Sequence, residues 1–142
     1  QINKYQLPEN KGVIEVIAGH YKDVEGAAST FSPVNMLNAR LEAGAITEFA
    51  FPSTYNTALL VVDGEIKVNG AQTIAENHFV LFENDGEDFS IEATKKSTVL
   101  ILSGDPLNEP IAAQGPFVMN TREEIGQAIK DYNLGKFGYL EE

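Results

Sequence analysis

The feature that most constrains this chain is its punctuation. Short apolar runs alternate with period two and are separated by Gly, Asn and Asp at intervals of roughly 8–12 residues. Val34 to Leu41 shows the alternation most clearly, with Leu37, Ala39 and Leu41 on one face, because successive side chains of a strand point to opposite sides. Val13 to Ala18, Thr57 to Val62, Glu65 to Val68, His78 to Phe82 and Thr98 to Leu102 read as further strands, and Phe89 to Glu92 as a weaker one. Asp63-Gly64 predicts a two-residue hairpin turn, since both residues tolerate positive φ. Asn69-Gly70 predicts the next turn. The pattern implies a β-sandwich or barrel from about Val13 to Ser103, with Leu37, Leu41, Leu59, Val61, Val80 and Leu100 in its core.

The end of the chain changes character. Ser103 to Gly115 contains Pro106 and Pro110 and predicts extended backbone. Thr121-Arg122-Glu123-Glu124 is a capping box, in which a hydroxyl and a carboxylate satisfy the first free amides of a helix. Ile125, Ala128, Ile129 and Tyr132 follow on one face, and Gly135 fits a helix stop. The reading is residues 1–104 as a β body and residues 105–142 as an extended tail with one amphipathic helix, Thr121 to Leu134. An apolar stripe needs a surface to bury it, and self-association through Ile125, Ala128, Ile129 and Tyr132 is the expectation.

Composition narrows the function. With 142 residues, 43% of them hydrophobic, the chain can build one real core. A net charge of −11 with scattered Lys and Arg argues against direct nucleic-acid binding, which needs a basic patch. No apolar run reaches the roughly 18 residues that span a bilayer, so no membrane contact is expected. No signal-peptide pattern is visible at the start. The absence of cysteine removes disulfides and thiolate chemistry and leans toward a cytoplasmic protein.

Candidate chemistry is sparse. His20 and His78 have no histidine neighbours in sequence and read as surface or loop residues. Glu83 to Asp88 is acidic but lacks the spaced ligands and closing glutamate of a calcium loop, so it reads as a solvated turn. No serine sits in a nucleophile elbow. Phe49, Phe51, Tyr55, Phe79 and Phe82 are candidates for a pocket lining, although such residues more often form core.

The glycine spacing resembles a cupin metal motif: Gly, five residues, His-x-His, four residues, Glu, six residues, Gly. Here Gly44 and Gly64 stand in that frame, and the ligand positions hold Ala50, Pro52 and Thr57. The histidine of a second cupin motif falls near Leu81. None of these four replaces His or Glu as a ligand for a divalent ion. The expected fold class is therefore mainly β, a cupin barrel (double-stranded β-helix, jelly-roll type) with one C-terminal helix, and without a metal site.

The tail carries a more specific resemblance. Gly104-Asp105-Pro106-Leu107-Asn108-Glu109-Pro110-Ile111, Gly115-Pro116-Phe117-Val118-Met119-Asn120-Thr121 and Gly135-Lys136-Phe137-Gly138 are similar to the closing motifs of pirins. Val16 to Gly19, Ala39 to Gly44 and Val62 to Glu65 resemble strands of the pirin second domain. The resemblance implies a C-terminal, metal-free cupin that completes a bicupin, with iron or another divalent metal in the N-terminal cupin. It implies no catalytic or cofactor-binding residue here. Two alternatives stand beside that interaction module. One is an enzyme of quercetin 2,3-dioxygenase type, to which this domain contributes pocket walls; a nuclear transcription coregulator is the family's other known role. The other is a free-standing small-ligand binder. Gln1 in place of Met fits a second domain separated from its first.

Overall fold

The structure, a computed structural model, describes residues 1–139. It divides into two compact units, Gln1–Pro106 and Leu107–Glu142. Fourteen strands and one α-helix are present among the described residues. The first unit contains β1 (Asn3–Gln6), β2 (Gly12–Ala18), β3 (His20–Tyr21), β4 (Val24–Glu25), β5 (Val34–Leu41) and β6 (Ile46–Ala50). It continues with β7 (Asn56–Asp63), β8 (Glu65–Val68), β9 (Gln72–Ala75), β10 (Phe79–Leu81), β11 (Asp88–Ala93) and β12 (Ser97–Gly104). The second unit holds β13 (Ala112–Gln114), β14 (Phe117–Met119) and α1 (Arg122–Asn133).

Two large antiparallel sheets build the first unit, beside a small two-stranded pair of β3 and β4. One large sheet has the order β1-β2-β5-β12-β7-β10 and the other β6-β11-β8-β9. Their inner faces meet in one core. Ile14, Val16, Leu37, Leu41, Leu59 and Val61 come from the first sheet, and Ile66 and Ile91 from the second; all are essentially inaccessible to water. Burying side chains of this size contributes roughly 1.5–3 kcal/mol each. The sheets face each other as a sandwich and do not close into a continuous barrel.

Three expectations are corrected in this unit. Asp63-Gly64 is not a hairpin turn, because β7 pairs with β10 and β12 while β8 pairs with β9 and β11. The dipeptide carries the chain from one sheet into the other. Gly64 has φ +85°, and a Cβ there would collide with the Lys96 carbonyl oxygen and the Ser97 hydroxyl, so the corner needs glycine. Leu100 does not point into the core; Val99 and Ile101 do, each at 0% exposure, and Leu100 lies on the outer face. Val80 is only half-buried, packed at the border of the core.

In the second unit the segment ahead of the helix closes in a hairpin that the sequence does not announce. β13 and β14 form a hairpin in which Gln114 faces Phe117. Gly115 takes φ +57° at the first turn position, while the Pro116 ring fixes a negative φ. A two-residue turn with positive φ at its first central residue only is type II′. The capping box forms as the sequence predicts: Glu124 N donates to Thr121 Oγ1 at 3.2 Å, and Thr121 N to Glu124 Oε2 at 2.9 Å. The helix lies on the β13–β14 hairpin with Ile125 and Ala128 buried. Tyr132 sits edge-on to Phe117, with ring centroids 6.3 Å apart. Among the described residues no helix is long and apolar enough to cross a membrane.

Candidate functional site

The pleat decides what the space between the sheets can hold. On β6 the inward side chains are Thr47 and Phe49, followed by Phe51 just beyond the strand; Ala50 and Pro52 are exposed. Leu81 also faces outward, at 69% exposure. Of the four positions counted from the glycine frame, only Thr57 is buried, at 9%. The inward set is thus displaced by one residue from the counted one on β6 and β10. A shift of one residue exchanges the two faces of a strand.

The inward set is apolar and aromatic. Tyr5, Tyr21, Phe49, Phe89 and Phe82 run in a continuous ladder with successive centroids 5.3, 5.2, 5.3 and 4.5 Å apart. Lys22 Nζ donates to the Tyr5 hydroxyl at 3.3 Å and lies 4.7 Å from that ring. The hydrogen bond to Tyr5 lifts the ammonium above its ordinary pKa. Two hydroxyl pairs are buried: Tyr21 Oη with Thr47 Oγ1 at 2.7 Å, and Thr57 Oγ1 with Ser103 Oγ at 2.8 Å.

A divalent metal of the cupin kind requires imidazole and carboxylate ligands. Among the described residues the buried polar ones are Asn35, Thr47, Thr57, Ser97 and Ser103, with no carboxylate or imidazole among them. Among the described residues no three His, Asp or Glu side chains stand together as a ligand set. His20 and His78 are both exposed, and His78 Nδ1 lies 3.0 Å from the Glu76 carbonyl oxygen. The residues present do not fit the metal.

A cleft of about 90 Å³ opens between the β6–β7 and β10–β11 connections. Phe51, Tyr55, Phe82 and Phe89 line it, together with Thr57. Three of these aromatics are among the pocket candidates of the sequence. Phe49 belongs to the core instead, and Phe79 to the outer face of the large sheet. The sequence points to Thr57 only as a ligand position of the glycine frame; its pairing with Ser103, and Phe89 as a cleft wall, belong to no recognisable motif.

That outer face has two halves. Toward β1 and β2, Glu15 accepts from Lys4 Nζ at 2.9 Å, Asn38 Nδ2 at 2.7 Å and Arg40 Nε at 3.2 Å. These donors, Lys4 first, hold the carboxyl at a pKa of about 2. Toward β10 the face is apolar. Phe79, Leu60 and Leu100 lie side by side in register, as do Leu81, Ala58, Leu102 and Met36.

Two antiparallel sheets enclosing an apolar interior, with one helix after the last strand, define a cupin-type sandwich. Residues 36–138 match the model of the pirin C-terminal cupin domain, and the chain belongs to the pirin family. A Pseudomonas aeruginosa protein provisionally named quercetin 2,3-dioxygenase is 38% identical over 136 residues, 96% of this chain and 47% of that protein. Human pirin is 31% identical over 137 residues, 93% of this chain and 47% of its own length. The crystal structure of a quercetin 2,3-dioxygenase from Acinetobacter baumannii superposes with a TM-score of 0.86 at 39% identity, covering 99% of this chain and 49% of that one. The chain spans about half the length of the curated relatives it matches.

Proposed function

We propose that this chain is the interaction half of a two-cupin protein: it holds no metal itself and docks on a second cupin domain that carries the iron or other divalent ion. The observation behind this reading is the apolar half of the outer sheet face. An antiparallel sheet with one solvated side normally alternates apolar-in and polar-out. Here Phe79 and Leu81 are 60% and 69% exposed, and they continue a row of leucines across β7 and β12. A contiguous patch of this kind marks an interaction surface. A second cupin domain is the occupant because the relatives are about twice as long as this chain. The interior, lacking imidazole and carboxylate, supports a structural role.

Co-expression with the half of the Acinetobacter protein that this chain leaves uncovered tests the reading. A one-to-one complex is expected by mass-resolved chromatography. It should disappear in a Phe79→Glu, Leu81→Glu variant that keeps the wild-type melting temperature. No complex, or one indifferent to the variant, refutes the proposal.

The names of the relatives support a second reading, in which the complete protein oxidises a flavonol at the other domain's metal and this chain supplies cleft walls. Oxygen uptake with quercetin and ferrous iron should then stay at background for this chain and rise for the complex. Turnover by the chain alone above a metal-only control overturns that division of labour.

A further inference from the structure

The cleft between the β6–β7 and β10–β11 connections is framed by two backbone hydrogen bonds and one side-chain hydrogen bond. Phe51 N donates to the Glu87 carbonyl at 2.7 Å, Phe82 N to the Thr57 carbonyl at 3.0 Å, and Asn84 Nδ2 to the Tyr55 carbonyl at 3.1 Å. Its volume of about 90 Å³ is well below the roughly 300 Å³ that a drug-sized ligand needs, so it admits a small head group and excludes fused rings.

The walls have one electrostatic sign. Phe51, Tyr55 and Phe82 contribute ring systems, whose faces carry negative charge density, while Phe89 lines the cleft stacked on Phe49 and Phe82. Glu83, Asp85, Glu87 and Asp88 stand at the rim. None of the four forms an ion pair among the described residues, and no Lys, Arg or His lines the cleft. A concave, low-dielectric site of one sign concentrates the opposite charge. The rim carboxylates are exposed and do not converge as a ligand set, which disfavours a compact, strongly hydrated metal ion. A diffuse organic cation suits aromatic walls.

The floor adds a hydrogen-bond donor. The Thr57 and Ser103 hydroxyls bring two protons to a single bond of 2.8 Å. The second proton has no acceptor among the described residues, and Thr57, itself 9% exposed, lines the cleft. Either hydroxyl can donate in that bond, and when Ser103 donates, the Thr57 proton is left for an acceptor on the ligand.

From this geometry we infer that the cleft binds a small substituted ammonium ion bearing a hydroxyl group, the cation among the rings and its oxygen at Thr57. The test is a titration of the full chain, followed by amide chemical shifts, with choline, tetramethylammonium and 3,3-dimethylbutan-1-ol, the uncharged analogue of choline. Choline should give saturable shifts at Phe51, Phe82 and their neighbours, and the alcohol should bind about tenfold more weakly or worse. Phe82→Leu should weaken choline about two- to thirtyfold. Should that variant fail to fold, the solvent-facing pair Glu83→Gln and Glu87→Gln should weaken choline as well. Thr57→Val should abolish the preference for choline over tetramethylammonium. Equal binding of the neutral alcohol, shifts reproduced by sodium chloride, or no saturable shift each overturns the inference.

Discussion

The Ser97 hydroxyl accepts the amide proton of Glu65 at 2.9 Å and lies 2.8 Å from the Lys95 carbonyl oxygen. This single side chain ties the end of β11's loop to the corner at which the chain leaves one sheet for the other. Ser97 is 2% exposed, so removing its oxygen takes the partner from a part-buried amide. Ser97→Ala should cost about 1–3 kcal/mol. Gly64→Ala should cost at least as much, since φ there is +85° and its new methyl group meets the Lys96–Ser97 backbone. Urea unfolding of both variants is the check. A neutral Gly64→Ala would show that the corner does not have this geometry.

Glu15 gives a prediction with a defined sign. Its carboxyl has a pKa of about 2 in the folded chain, against 4.5 for the ordinary group, chiefly through Lys4 and then Asn38 and Arg40. A depressed carboxylate stabilises the fold above the unfolded pKa, and that contribution fades as pH falls from about 4.5 toward 2. Lys4 and Arg40 are solvent-exposed, so the contribution stays below about 1 kcal/mol. Glu15→Gln should therefore be less stable than wild type at pH 6 and nearly equal to it at the acid end of the window. Denaturant midpoints across that range measure the difference. A gap that widens with acid would reverse the assignment.

Much of this fold is legible in the sequence because period two is a local signal. Leu37, Ala39 and Leu41 announce their common face without knowledge of any partner strand. The corner at Asp63-Gly64 is not legible, because the dipeptide specifies a backbone conformation and not which strand pairs with which. Leu100 is misassigned for another reason. Thr98 to Leu102 is apolar on both faces, since its outer side belongs to the hydrophobic patch, and a run without alternation does not reveal its inward side. The ligand frame slips by one for the same reason: counting from glycines fixes spacing, whereas the pleat fixes direction. The cleft combines residues from two connections, and only the fold brings Phe51 and Phe89 to a centroid distance of 6.3 Å.

The helix stripe divides into a buried and a free part. Ile125 and Ala128 are 3% and 5% exposed, whereas Tyr132 is 64% exposed beside Leu134 at 71% and Phe137 at 61%. Ile125→Asp places a charge in a buried position and should unfold the second unit. Tyr132→Asp should leave helix content by circular dichroism unchanged and reduce self-association in sedimentation experiments. An unchanged sedimentation profile would remove the stripe from any account of pairing between copies.

The last prediction concerns metal content. From β6 to the start of β7 the positions that reach the space between the sheets are Thr47, Phe49, Phe51 and Thr57, and none offers a carboxylate or an imidazole. Hydroxyl and aromatic groups alone bind divalent iron, nickel or zinc too weakly to survive dialysis. Protein stripped with chelator, exposed to each ion in turn and dialysed should hold far less than one equivalent by elemental analysis. The exposed His20 and His78 are the expected source of any residue, because imidazole is the commonest transition-metal ligand. The double variant His20→Ala, His78→Ala separates surface uptake from an internal site. It should lose the remaining ion and keep the wild-type melting temperature. One equivalent of iron, nickel or zinc retained by that variant would require ligands from carboxylates or backbone oxygens, and it would end the reading of this chain as the half that carries no metal.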